Sequence, residues 1–318
     1  MEGSDTDQST IDRRQRLQGG LLGMLVGDAL GVPYEFKSSE RIPSYHQIEF
    51  EPPAGFLRSY PEVPPGTWSD DGAQALCLLE SLLAHGELNL IDFSQRLQNW
   101  YFEGHMAVGK HVFDVGIQTR EAIVKLSKNY FPEESGRRDE YANGNGSLMR
   151  VLPLALWHQG DDRQLVADAH EQSIVTHAHP RAMVCCALYC LWARRVLERC
   201  PTPWEAAVAA LRELYRELPV HKEQLEEHVR PDSRPGGNGT GYVVDSLHSA
   251  RLACEETSFE KVVKRAVQIG NDTDTTACVA GGIAGIQYGI QQIPRRFLEG
   301  LRGQELVAPL LDKLLSGS

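Results

Sequence analysis

Apolar residues recur at three- and four-residue spacing through 73–85, 92–101, 146–157, 164–175, 181–198, 204–217, 243–254 and 259–268, while alternating β-branched runs are nearly absent. Residues three and four apart share one face of a helix, so the pattern predicts amphipathic helices and an all-α fold. Loops are expected at 37–68, 129–145 and 230–241, where prolines and the run DSRPGGNGTG interrupt the periodicity. No Pro/Gly/Ser-rich linker divides the middle of the chain. Residues 13–318 therefore read as one domain, preceded by a polar, loose arm over 1–12, MEGSDTDQSTID.

Two helical stretches depart from the ordinary pattern. Glycine returns every fourth position at Gly19, Gly23, Gly27 and Gly31, and again at Gly281, Gly285 and Gly289. Each glycine inside a helix costs roughly 1 kcal/mol against alanine, so a stripe of them needs a packing reason. Close approach of the two backbones at the crowded centre supplies one, and it would bring together the acidic motifs beside them.

Composition narrows the class without naming it. The chain has 318 residues, 42% hydrophobic and 24% charged, enough for a sizeable core. Lys plus Arg total 32 against 43 Asp plus Glu, a formal charge of −11 that argues against a broad nucleic-acid or anionic-membrane surface. The N-terminus lacks the cationic segment and apolar run of a signal peptide, so a cytoplasmic location is expected. The seven cysteines lack a framework of regular spacings, and Cys77, Cys185, Cys186, Cys190 and Cys278 lie in apolar helical sequence. They read as reduced core residues.

Candidate chemistry sits in a few short motifs. Ser69-Asp70-Asp71 precedes an amphipathic helix; taken alone it reads as a serine cap with acids favouring the helix dipole. Gly270-Asn271-Asp272-Thr273-Asp274-Thr275 precedes the small-residue helix ACVAGGIAGIQYG, and D-x-D-T in a turn aims two carboxylates and a hydroxyl at one point. That donor set suits a hard, oxygen-preferring cation. In GDALGVPYE, which carries Asp28, Pro33 should end the first glycine-striped helix and leave Glu35 on an extended segment. In isolation such a glutamate is usually exposed. Asn143-Gly144-Asn145-Gly146-Ser147 is a glycine-rich turn leading into a helix, a receptive geometry for phosphate. In THAHP, His177 and His179 are open to three roles: substrate contact, metal ligation or helix capping.

Together, GLLGMLVGDALGVPYE, GTWSDDGAQALCLL, NGNGSLMR, THAHP, GTGYVVDSL and GNDTDTTACVAGGIAG resemble the ADP-ribosylglycohydrolase family, which includes dinitrogenase reductase activating glycohydrolase. The resemblance runs from about Arg16 to about Gln292. It implies an orthogonal helical bundle around a binuclear Mg²⁺ or Mn²⁺ centre. By position, Ser69, Asp70, Asp71, Asp272, Asp274 and Thr275 would ligate the metals. Glu35 matches the family's acid near the metals, the first choice for acid/base catalysis, with Asp70 and Asp71 as alternatives. Asp28 fits either an acid supporting the ligands or one orienting substrate. The match also implies that Asn143 to Ser147 cradle the diphosphate, that His177 touches ADP-ribose, and that Gly241 and Tyr242 lie on the adenine side. One departure is Gly72, where the family commonly has threonine after the two acids.

The implied reaction is hydrolysis at the anomeric carbon of the distal ribose, through an oxocarbenium-like transition state that carboxylates stabilise. Two divalent cations would offset the mutual repulsion of Asp70, Asp71, Asp272 and Asp274. The expected substrate is an ADP-ribosylated protein, arginine-linked in preference to serine-linked, acted on by a monomer. Two other readings stay open: a dinuclear hydrolase of a small ADP-ribose-like or nucleotide substrate, and a catalytically silent ADP-ribose-binding protein.

Overall fold

The computed structural model describes residues 12–317. The arm expected over 1–12 lies outside the described residues except for Asp12, whose side chain accepts from the Gln15 amide while Gln15 reaches back to the Asp12 amide, closing a capping box.

Helices dominate, covering 64% of the chain, as the spacing predicts. In chain order they are α1 (Arg13–Gly31), α2 (Asp70–His85), α3 (Leu90–Glu103), α4 (Ile117–Leu126), α5 (Pro132–Ser135), α6 (Leu152–Trp157), α7 (Asp162–Ile174) and α8 (Pro180–Leu197). They continue as α9 (Pro203–Leu214), α10 (Pro219–Glu223), α11 (Val243–Ala253), α12 (Phe259–Ile269), α13 (Thr273–Tyr288), α14 (Arg295–Gly300) and α15 (Gln304–Ser316). One apolar core runs through them from Leu17 to Leu315. The helix expected over 146–157 starts only at Leu152. Pro153 has no amide hydrogen to give to a preceding turn and belongs in the first turn of a helix, leaving 146–151 as irregular turns.

At the centre, α1 and α13 pack glycine against glycine. A Cβ on Gly23 would stand 2.5 Å from the carbonyl oxygen of Gly281, and one on Gly27 would stand 1.9 Å from that of Ala277. On the other side, a Cβ on Gly285 would meet the Gly19 carbonyl at 1.9 Å. The two backbones thus touch along their length, as the stripes require. Gly289 falls outside the expected run: it ends α13 with φ +72.

The only sheet among the described residues is a pair of two-residue strands, β1 (Lys37–Ser38) and β2 (Gly270–Asn271), antiparallel, with Lys37 opposite Asn271. Such short strands carry no readable alternation. Their consequence is functional, because they clamp the segment after Glu35 against the segment before Asp272. All seven cysteines are free, and the five in apolar sequence are buried.

Candidate active site

The site assembles where the ends of α1, α2 and α13 meet. Ser69 caps α2 and accepts the Asp71 amide at 3.3 Å, which starts the helix with both aspartates in its first turn. Asp28, near the end of α1, is fully buried and accepts the amides of Ser69 (2.9 Å) and Gly72 (2.8 Å). Its carboxylate therefore brackets Asp70 and Asp71 rather than facing the cavity. Burial pushes its pKa up to about 7, while the two backbone donors pull the other way. Gly72, the departure from the family pattern, has no room for a side chain: a Cβ would meet Leu25 Cδ2 at 2.7 Å and Trp68 Cγ at 2.8 Å.

From the other side, Asp272 precedes α13 and Asp274 and Thr275 lie in its first turn. The Thr273 hydroxyl donates to the Gly31 carbonyl at 2.8 Å, fastening the start of α13 to the end of α1. Thr275 Oγ1 lies 3.4 Å from Asp71 Oδ1, so the two distant acidic motifs touch. Asn145 joins them, donating from Nδ2 to Asp272 Oδ2 and to Ser246 Oγ, each at 2.8 Å. Glu35 arrives as expected on extended backbone after a short 3₁₀ turn, but only 3% of it is exposed. The Phe36 amide donates to the Asn271 carbonyl at 2.7 Å, and the β1–β2 pair continues that contact.

These groups line a cavity of about 250 Å³, at the small end of ligand pockets. Glu35, Asp70, Asp71, Asp272 and Thr275 line it together with Gly144, Asn145, Gly146, His177 and Gly241. His177 is buried and held neutral, its pKa lowered by burial to about 3, and its ring packs on Gly146. Six predicted residues do not line the cavity: Asp28, Ser69, Asp274, Asn143, Ser147 and Tyr242. Asn143 Nδ2 bonds the Glu140 carbonyl, the Ser147 hydroxyl bonds Ser173, and Tyr242 lies outward, its hydroxyl accepting from Arg181 at 3.2 Å. His179 caps α8, its Nδ1 accepting the Arg181 amide at 3.2 Å.

The structure adds residues that the motifs missed. Asp114 lines the cavity and lies with Glu35 and Asp274 in a group in which one carboxylate oxygen of each is within 4.8 Å of the others. It sits alone in HVFDVG, with no motif around it to mark it. Gln118 accepts the Gly144 amide at 2.9 Å, holding the glycine-rich turn in place. Beneath Asp70, Gln74 donates to Asp70 Oδ2 at 2.7 Å and accepts from the fully buried Arg150 at 3.0 Å. A glutamine in the otherwise apolar run AQALCLL was the available signal for that network. Three non-glycine residues beside the site, Phe36, Tyr60 and Asp114, have left-handed backbones with φ between 51 and 60. Each costs roughly 1–2 kcal/mol, which the surrounding contacts must offset.

The electrostatics call for cations. Glu35 Oε2, Asp71 Oδ2 and both carboxylate oxygens of Asp274 are buried without a hydrogen-bond partner. Burial, then the charges of Asp114 and Asp272, push Glu35 up to about 10, and burial raises Asp70, Asp71, Asp114 and Asp274 as well. Orphaned carboxylate oxygens converging on one cavity, with hydroxyls beside them, fit divalent cations that take oxygen ligands.

A profile of the ADP-ribosylglycohydrolase family matches residues 9–318. The chain belongs to this family. As an ADP-ribosylglycohydrolase, it is an enzyme that cleaves glycosidic bonds of ADP-ribose. It is 28% identical over 303 residues to the ADP-ribosylarginine hydrolase Tri1 of Serratia proteamaculans, covering 94% of this chain and 78% of that one. It is 29% identical over 290 residues to the ADP-ribosyl-[dinitrogen reductase] glycohydrolase of Rhodospirillum rubrum, covering 90% of each. A solved ADP-ribosylglycohydrolase-related protein complex superposes with a TM-score of 0.77 and 31% identity over 96% of this chain and 99% of that one. The family is metal-dependent, in keeping with the buried acidic group. No helix among the described residues is long and apolar enough to cross a membrane.

Proposed function

We propose that this enzyme releases ADP-ribose from modified arginine side chains of a protein, using a pair of Mg²⁺ or Mn²⁺ ions. The observation that carries the metal reading is the set of buried, partnerless carboxylate oxygens on Glu35, Asp71 and Asp274. Ser69, Asp70, Asp71, Asp272, Asp274 and Thr275 would hold the ions. When bound, such ions supply Lewis-acid chemistry, orienting ribose hydroxyls and making a nearby water more acidic.

The chain's own residues do the rest. Gly144 to Gly146 offer a flexible turn for the diphosphate, and neutral His177 can contact ADP-ribose without charging. With cations beside it to favour its charged form, Glu35, whose Oε2 is buried and without a donor, is our candidate to take a proton from the attacking water and return it to the leaving group. The carboxylates of Glu35 and Asp114 stabilise positive charge as it develops on the sugar. They also suit a cationic guanidinium leaving group better than a neutral hydroxyl, and Tri1 is an arginine hydrolase by name. We take 13–318 as one domain. Free, buried cysteines suit a reducing compartment, and we place the enzyme in the cytoplasm.

The test is incubation with arginine-linked and serine-linked ADP-ribosylated substrates, with Mg²⁺ or with EDTA, following free ADP-ribose by mass. Magnesium-dependent release from arginine alone is the expected result. Release of phosphate or a nucleoside monophosphate would instead identify phosphoester chemistry. Glu35→Gln should keep the fold and cut turnover by roughly 10²-fold; near-normal turnover would remove Glu35 from the proton transfer.

A further inference from the structure

Ser59 and Tyr60 lie in a loop that no motif marks, yet they touch both of the acids that approach the cavity from outside the helix ends. The Ser59 amide donates to the Pro33 carbonyl at 2.9 Å, and its hydroxyl donates to the Glu35 carbonyl. One residue on, the Tyr60 hydroxyl donates to Asp114 Oδ1 at 2.7 Å. It also lies beside the Glu35 carboxyl and favours its charged form. We propose that Ser59-Tyr60 is a clip that joins the Glu35 segment to the Asp114 loop, with the Tyr60 hydroxyl as the positioning residue for Asp114.

The loop is built for such a task. Arg58 donates to the carbonyls of Pro61 (2.6 Å) and Val63 (3.1 Å), and the Val63 amide returns to the Tyr60 carbonyl at 2.9 Å, so the turn is closed on itself. The Tyr60 ring packs on Phe113 with centroids 4.9 Å apart and on Phe36 at 6.1 Å. Val32, Val63 and Phe113 form a small core of their own under it, separate from the main one. Each ring contact reaches a neighbour of one of the acids, Phe36 next to Glu35 and Phe113 next to Asp114. The ring thus fixes the two backbones while the hydroxyl fixes one carboxylate rotamer. Asp114 has left-handed backbone, and its side chain gains no hydrogen bond from its own loop, so Tyr60 supplies its neutral donor.

The clip rests on the metal-dependent reading above, and the test separates the two. Metal-free protein is titrated with Mn²⁺ alone, followed by electron paramagnetic resonance, and turnover is measured separately. Tyr60→Phe removes only the hydroxyl and keeps the ring contacts. The expected result is Mn²⁺ affinity weakened about tenfold and kcat reduced about tenfold, with KM within about twofold and the thermal midpoint unchanged. In an Asp114→Asn background the same change should matter less than about twofold, because its partner is already altered. Should Tyr60→Phe fail to fold, Ser59→Ala, which removes the hydroxyl bond to the Glu35 carbonyl, is expected to weaken Mn²⁺ binding about threefold. Wild-type Mn²⁺ affinity in the variant, or a loss undiminished in the Asp114→Asn background, overturns the clip. Absence of Mn²⁺ binding by the wild-type protein overturns the metal reading instead.

Discussion

Two sides of the candidate cavity are built on different principles. The floor comes from helix ends: Asp70 and Asp71 open α2, Asp274 and Thr275 open α13, and the glycine contact of α1 with α13 holds them together. The outer wall comes from irregular chain, with Glu35 and Asp114 on separate segments and Tyr60 behind them on a third, Tyr60 and Asp114 on left-handed backbone. On the floor, position follows from helix geometry and close packing. On the wall, it follows from a few directional contacts between segments far apart in sequence. The floor should therefore fail by unfolding, and the wall by losing function while the fold persists.

The largest effect expected is on the floor. Gly27→Leu places a side chain where the Ala277 carbonyl oxygen already stands 1.9 Å from a Cβ. Backbone cannot yield as a side chain tip can, so the cost should reach about 3 kcal/mol or more. Insoluble protein, or a thermal midpoint lower by about 5 °C or more, is the outcome anticipated from calorimetry. An unchanged midpoint would mean that α1 and α13 are not in contact there.

Asp274→Asn separates the two kinds of failure within one residue. Both its oxygens are buried without partners, and burial with the neighbouring acids raises its pKa. Removing the charge should leave the metal-free protein as stable as before or more so. It should also abolish the stabilisation by Mn²⁺, which at 100 times its dissociation constant is about 2.7 kcal/mol, and lower turnover by at least about 10²-fold. Melting curves with and without Mn²⁺ read both; retained stabilisation by the ion would remove Asp274 from the ligand set.

The same division governs what could be read from the residues alone. Glycines four apart in two helices encode a close approach that nothing else explains, and paired acids at helix starts are visible because each motif is contiguous. Asp114 was invisible because its neighbours His111 to Gly116 carry no companion group; its meaning depends on Tyr60, more than fifty residues earlier in the chain. The β1–β2 clamp was equally silent, since two residues have no period. Glu35 shows the limit from the other direction: sequence statistics favour an exposed glutamate, whereas the backbone hydrogen bond from Phe36 to Asn271 and the β1–β2 pair hold its segment against α13 with Glu35 buried. The overlong helix predicted over 146–157 came from reading apolar spacing past Pro153.

An effect of intermediate size concerns pH. Glu35 has a folded-state pKa raised to about 10 from an ordinary value near 4.5, chiefly by burial. The folded protein therefore holds a proton that the unfolded chain releases, and stability is full below the ordinary value and lost as pH rises toward 10. Metal-free protein should melt at progressively lower temperature between pH 5 and pH 9, and Glu35→Gln should flatten part of that slope. A flat profile in the metal-free wild-type protein would contradict the burial of Glu35.

The smallest effect comes where floor and ligands meet, at Asp28. Each of its oxygens accepts a backbone amide, one from each side of the Asp70–Asp71 pair. An asparagine keeps one acceptor but turns an amide group toward the other N–H, leaving a buried donor facing a donor. That loss is about 1–3 kcal/mol, a shift of a few degrees in the thermal midpoint. Because Asp28 brackets Asp70 and Asp71, the proposed ligands, and does not line the cavity, the catalytic consequence should appear as weaker Mn²⁺ binding, with KM for the ADP-ribosylated substrate unchanged once the ion is saturating. A raised KM at saturating Mn²⁺ would instead place Asp28 in contact with the substrate, and the wall would then extend further into the helix ends than the geometry implies.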